Sequence, residues 1–128
     1  MLQDRRKFLR FDIPLHVKFK PSKDKLERYV FGTTINFSRN GFCFEVQNTD
    51  LEPAETLEFR VMLPNEDAFV PVLGDIVWKK QVDSKSLFGI KFIAMNKDAK
   101  WEILDYGYSI WLGKMQGKNM LKKVECYS

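Results

Sequence analysis

Histidine occurs once and cysteine only twice among the 128 residues, and both scarcities narrow the chemistry open to this chain. Acid–base or nucleophilic catalysis needs a base held beside its nucleophile. The sole histidine, His16, falls on the polar face of a predicted strand, where an exposed structural role is expected. A Ser38, His16 and Asp12 triad can be drawn, but no spacing supports it. Cys43 and Cys126 lie far apart and form no CxxC pair, so both read as free thiols of a reducing compartment, with neither metal nor disulfide expected. Apolar runs fall far short of the roughly 18 residues of a membrane span, and Met1-Leu2-Gln3-Asp4-Arg5-Arg6-Lys7 has no apolar signal-peptide core. The expectation is a cytoplasmic protein that is not an enzyme and has no catalytic cofactor.

Hydrophobic side chains are plentiful by contrast. At 45 % hydrophobic and 14 % aromatic residues, a chain of this length fills one core without staples. The net charge of +4 is unevenly spread. Residues 1–28 carry nine Lys/Arg against four Asp/Glu, residues 29–113 eight against twelve, and residues 114–128 four against one. Basic ends around a mildly acidic middle suit an anionic partner, or simply a solubilising arm and tail. The chain divides into a basic N-terminal arm (1–10), a strand-rich body (11–95), an amphipathic helix (96–116) and a basic tail (117–128).

From Phe11 to Lys20 the alternation is strict: Phe11, Ile13, Leu15, Val17 and Phe19 interleave with polar residues and predict a half-buried strand. Pro14 donates no ladder hydrogen bond, so the start of that strand is expected to be an edge or only partly paired. In the next run, Tyr29, Phe31, Thr33, Ile35 and Phe37 form the expected inward set, leaving Asn36 and Ser38 side by side on the outer face. Ser38-Arg39-Asn40-Gly41 is turn chemistry, after which Phe42, Phe44 and Val46 resume alternation. Further strands are expected at Leu57–Leu63, Val70–Lys80 and Leu87–Ala94. Six short strands with short turns favour an antiparallel barrel or sandwich.

After Asn96 the period changes. Trp101, Leu104, Tyr108, Trp111, Leu112 and Met115 follow helical spacing, with Ile103 and Ile110 on another side hinting at a second apolar contact. Asn96 or Asp98 is suited to cap the start and Gly113 or Gly117 the end, while Gly107 inside costs about 1 kcal/mol relative to Ala. The chain is all-β with one C-terminal helix.

Two segments carry the functional signal. Arg6 and Arg10 form RxxxR just before the first strand, and guanidinium forks suit phosphate contacts and stacking on purines. Asn36-Phe37-Ser38-Arg39-Asn40-Gly41 presents two polar side chains outward, with a glycine that permits a positive φ or a close backbone approach. In this order, RxxxR and then (D/N)xSxxG, the pair resembles the PilZ domain family. Gly74-Asp75-Ile76-Val77-Trp78 and Leu87-Phe88-Gly89-Ile90-Lys91-Phe92 are similar to the family's later strands.

The resemblance implies a six-stranded antiparallel PilZ-type barrel that binds cyclic di-GMP, a bacterial second messenger, on its outer surface. Arg6 and Arg10 would contact phosphates and guanine, and Asn36, Ser38 and Gly41 would form the other wall. An arginine at Arg5 is associated in the family with a stacked ligand dimer. Arg39 and Asn40 stand at variable positions and receive no role. An arm too poor in apolar residues to pack alone is expected to be mobile until ligand orders it, and a separate effector protein is the expected recipient of the signal. Two rival readings are a PilZ-like adaptor that binds no ligand and an RNA- or single-strand-binding barrel, for which Gly41-Phe42-Cys43-Phe44-Glu45 echoes an RNA-recognition strand. Alternation opposes the second rival, because it puts Phe42 and Phe44 in the core, and no nucleic-acid partner is expected.

Overall fold

The structure, a computed structural model, describes residues 10–24, 28–47, 49–63 and 68–121. Six strands precede one helix: β1 (His16–Pro21), β2 (Val30–Phe37), β3 (Gly41–Gln47), β4 (Thr56–Met62), β5 (Phe69–Val82), β6 (Lys85–Met95) and α1 (Lys97–Leu121). Every strand pairing is antiparallel, and the order β1-β2-β3-β6-β5-β4 closes because β4 pairs back onto β1. Closure gives each of the described strands a neighbour on both sides, and it decides for the barrel over the sandwich.

Alternation along β1, β3 and β4 supplies the interior. Phe19, Phe44, Phe59 and Phe88 are buried and interlock, with Phe44 meeting Phe59 edge-on at 5.3 Å and stacking on Phe88 at 5.5 Å between ring centroids. Phe42 is 4 % exposed and packs edge-on against Phe59 at 5.0 Å, so Phe42 and Phe44 are core and offer no platform for bases. Each such side chain contributes about 1.5–3 kcal/mol of transfer free energy.

Three expectations need correction. First, the regular ladder of β1 begins at His16 and not at Phe11, with the start only partly paired as Pro14 led one to expect, although Phe11, Ile13 and Leu15 are buried as the alternation requires. Pro14 interrupts the ladder, and Thr34 compensates: its Oγ1 accepts the Leu15 N–H at 2.7 Å and donates to the Ile13 carbonyl, while Phe11 and Phe37 form an isolated bridge. Lys20, expected outside, is 6 % exposed, its ammonium donating to the Asp24 carbonyl and facing Glu58 at 3.5 Å.

Second, the inward set of β2 changes midway. Thr34 pairs with Phe44 and Asn36 with Cys43, so Ile35 is an extra residue opposite a single partner strand position. This bulge reverses the alternation: Phe37 points inward as expected, but upstream Thr34 is buried at 1 % and Phe31 is 69 % exposed. Tyr29 also lies outside, under the Lys18 ammonium at 5.1 Å from its ring centroid.

Third, α1 runs past Gly113 and Gly117 to Leu121, because neither glycine takes the positive φ of a helix stop. Asn96 caps the start as expected, its Oδ1 accepting the Ala99 N–H at 2.8 Å. The buried face is centred on Ala99, Ile103, Leu104 and Gly107, whereas Leu112 of the expected stripe is 37 % exposed. Gly107 sets that face: a Cβ there would stand 2.5 Å from Ile13 Cδ1 and 2.8 Å from Phe11 Cβ, so its absence lets the helix close onto the segment leading into β1. The expected helix cost of this glycine is offset by the approach it permits.

Candidate functional site

The outer face of β2, β3, β6 and β5 carries one transverse row of residues. Asn36 pairs with Cys43, Cys43 with Gly89, and Gly89 with Trp78. Small side chains occupy the middle of that row and larger ones its ends, so the face is concave. Two bulges aim the ends. Ile35 is the extra residue before Asn36, and Val77 is the extra residue between Ile76, which pairs with Ile90, and Trp78, which pairs with Gly89. A bulge at Val77 leaves both Val77 and Trp78 outside, at 53 % and 43 % exposure, while Ile76 stays buried.

A groove of about 410 Å³ lies over this row. Arg10, Asn36, Ser38 and Gly41 all line it, so four of the six residues singled out from sequence share one site; Arg5 and Arg6 lie outside the described residues. The Ser38 N–H donates to the Gly41 carbonyl at 2.8 Å, and the Ser38 hydroxyl donates to the same oxygen at 3.1 Å. That closed turn fixes the hydroxyl with its lone pairs free to accept. His16 is in register with Thr33, midway along β2, and does not line the groove; no cluster of three or more His, Cys, Asp or Glu among the described residues could hold a metal ion.

Gly41 is needed for a different reason from positive φ, which it does not adopt. It sits in β3 opposite Lys91, and a Cβ there would stand 1.8 Å from the Ile90 carbonyl oxygen of β6. Only a residue with no side chain allows the two backbones to close.

Among the lining residues to which sequence reasoning gave no role are Trp78, Lys91, Arg39 and Lys100. Lys91 is legible in hindsight as the outward residue between Ile90 and Phe92. Trp78 required the Val77 bulge, and Lys100 required knowledge of how α1 docks. Together with Arg10, the groove has four cationic side chains and no carboxylate among the described residues that line it. Lys100 lies over the Phe92 ring, its Nζ 4.8 Å from the centroid. Burial first, then the charges of Arg39 and Lys97, hold its ammonium below the ordinary lysine range. Beneath them Cys43 is 8 % exposed, and burial pushes its thiol up, a rise that the Arg10 charge opposes and Glu45 reinforces. The groove thus brings together positive charge, a fixed hydroxyl, an amide and an exposed indole, groups whose chemistry suits contact with an anion and with a flat ring.

Comparison with known proteins bears on the fold and the family. The structure of the Bacillus subtilis inhibitor of motility (MotI/DgrA) superposes with a TM-score of 0.70 at 18 % identity, covering 88 % of this chain and 54 % of that one, so this chain spans about half its length. The PilZ domain of Escherichia coli YcgR, solved with c-di-GMP, gives a TM-score of 0.62 at 10 % identity, covering 94 % and 100 % of the two chains. The PilZ domain of CeSA from a cellulose-synthesising bacterium gives 0.54 at 14 % identity, over 80 % and 97 %. No curated protein matches the chain significantly. Identities this low establish the fold, a six-stranded antiparallel barrel with one C-terminal helix. The family rests on a separate finding: a model described as the PilZ domain matches residues 4–108, most of the sequence, and the chain belongs to the PilZ domain family.

Proposed function

We propose that this protein is a cyclic di-GMP receptor without catalytic activity, which binds the nucleotide in the groove of Arg10, Asn36, Ser38 and Gly41 and passes the signal to a separate protein. The observation that carries this reading is that Arg10 of the first motif and Asn36, Ser38 and Gly41 of the second line one cationic groove, with no carboxylate among its described lining residues. Guanidinium forks contact phosphate bidentately and stack on purines, which matches a ligand with two phosphates and two guanines. Asn36 and the Ser38–Gly41 turn form the opposite wall, and Trp78 offers an indole face for a base.

In this proposal Arg5 and Arg6, which precede Arg10 in the chain, also contact the ligand. Binding draws residues 4–10 against the 36–41 turn, and that closure is the output a partner reads. Arg5 sets whether one nucleotide or a stacked pair is held. The reading locates the protein in the cytoplasm. A single-strand-binding function is disfavoured because Phe42 and Phe44 are buried.

Isothermal titration with cyclic di-GMP, with GMP and a short single-stranded RNA as controls, tests the proposal. Saturable binding of cyclic di-GMP well above both controls is expected. Equal or stronger binding of the RNA, or no heat with cyclic di-GMP, overturns it.

A further inference from the structure

The buried stripe of α1 contains a position that packing alone does not explain. Ile103, Leu104 and Gly107 face the barrel, and Lys100 stands three, four and seven residues before them, on the same side of the helix. A lysine there turns its charge toward the protein, over Phe92 and into the groove, where Arg39 and Lys97 repel it. Among the described residues no carboxylate lines the groove to offset that repulsion. An apolar residue would pack on Phe92 without the electrostatic penalty. The site also lies where the helix is firmly fixed, since Asn96 caps α1 directly after β6 and the Phe92 N–H donates to the Asn40 carbonyl at 2.9 Å.

We propose that Lys100 is part of the ligand site: with Arg39 it clamps one phosphate of the bound dinucleotide, and so ties the first turns of α1 to the loop that carries the Asn36–Gly41 motif. This rests on the receptor reading above and adds a second element to the output. Ligand would be sensed at the N-terminal arm and equally at the helix, because the anion neutralises a like-charge pair that spans loop and helix. The pair is preorganised, so the gain appears when the phosphate arrives.

The test uses the full chain, cyclic di-GMP, and the variants Lys100→Met and Lys100→Arg. Methionine keeps the packing on Phe92 and removes the charge. Its affinity should fall about 5- to 20-fold, between the effect of a screened surface pair and that of a charge-assisted hydrogen bond. Its salt dependence should become shallower, and arginine should restore most of both. Hydrogen exchange should show ligand-induced protection over residues 97–104 in the wild type and not in Lys100→Met. If the wild type binds cyclic di-GMP while Lys100→Met binds equally well with the same salt dependence and the same helix protection, the clamp is wrong and the receptor reading stands. If the wild type fails to bind, the receptor reading falls and the clamp falls with it.

Discussion

Trp78 lies on the backbone of Gly89, where an added Cβ would stand 2.0 Å from the indole Nε1 and 2.3 Å from Cε2. The two residues face each other across β5 and β6, and the absence of a side chain on one creates the seat of the other. Stacking of a base on an aromatic ring is worth about 1–3 kcal/mol, so Trp78→Ala should weaken cyclic di-GMP binding roughly 5- to 150-fold. Gly89→Ala should lift the indole from its seat and produce a similar loss. Because both changes remove one interaction, the double variant should be little worse than either single variant. Additive losses in titration calorimetry would show that the indole and its seat act separately.

Arg10 is exposed and makes no ion pair with the described residues, so it contributes little to the core. A charge-assisted contact to phosphate is worth about 1.5–3 kcal/mol, and Arg10→Ala should therefore lower affinity about 10- to 150-fold with a near-unchanged melting temperature. Ser38→Ala should lower affinity less, since a neutral hydroxyl contact is worth about half as much. Normal binding by Arg10→Ala would remove Arg10 from the site.

Gly41→Val should damage stability and binding together. A Cβ 1.8 Å from the Ile90 carbonyl forces β3 and β6 apart at the end where Gly41 meets Lys91. Backbone displacement in a packed sheet commonly costs about 1–3 kcal/mol, enough to lower the melting temperature by several degrees. A valine variant that melts normally would contradict the close approach.

Much of this site was legible because its residues sit next to turn chemistry. Asn36, Ser38 and Gly41 are adjacent in sequence, and the local pattern alone places the first two outward. The strand before them was less legible, because one extra residue, Ile35, reverses the faces and nothing local marks it: Tyr29, Phe31, Thr33, Ile35 and Phe37 alternate perfectly well as a single inward set. The same holds for Trp78, whose exposure depends on the Val77 bulge. Helix spacing found α1 but misplaced its centre. Two tryptophans outweigh a glycine in any hydrophobic pattern, yet the glycine decides which side approaches Phe11 and Ile13.

Thr34 gives a stability test of the bulge. Its hydroxyl serves the Leu15 N–H and the Ile13 carbonyl, both next to Pro14, and it is 1 % exposed. Thr34→Val keeps the shape and strands two buried backbone groups at about 1–3 kcal/mol each, so unfolding by urea should shift to clearly lower concentration while the slope is retained. An unchanged midpoint would mean that those groups find other partners.

Cys43 reports on the groove from beneath. Burial raises its thiol above the ordinary value, so at neutral pH the reactive thiolate is scarcer than in a free cysteine. In a Cys126→Ser background, alkylation by iodoacetamide should be slow and should rise with pH later than for a model thiol. Arg10 lowers the thiol and Glu45 raises it, so Arg10→Ala should slow alkylation further and Glu45→Gln should speed it. Because the folded pKa exceeds the unfolded one, the proton is held more tightly in the folded state. The corresponding stability is complete below the unfolded value of about 8.5 and is lost as pH climbs through the folded value, so Cys43→Ala should flatten the alkaline decline in stability. Cyclic di-GMP seated over the Asn36–Cys43–Gly89–Trp78 row should block alkylation in proportion to occupancy. Ligand that saturates by calorimetry while leaving the alkylation rate unchanged would place the nucleotide elsewhere on the barrel.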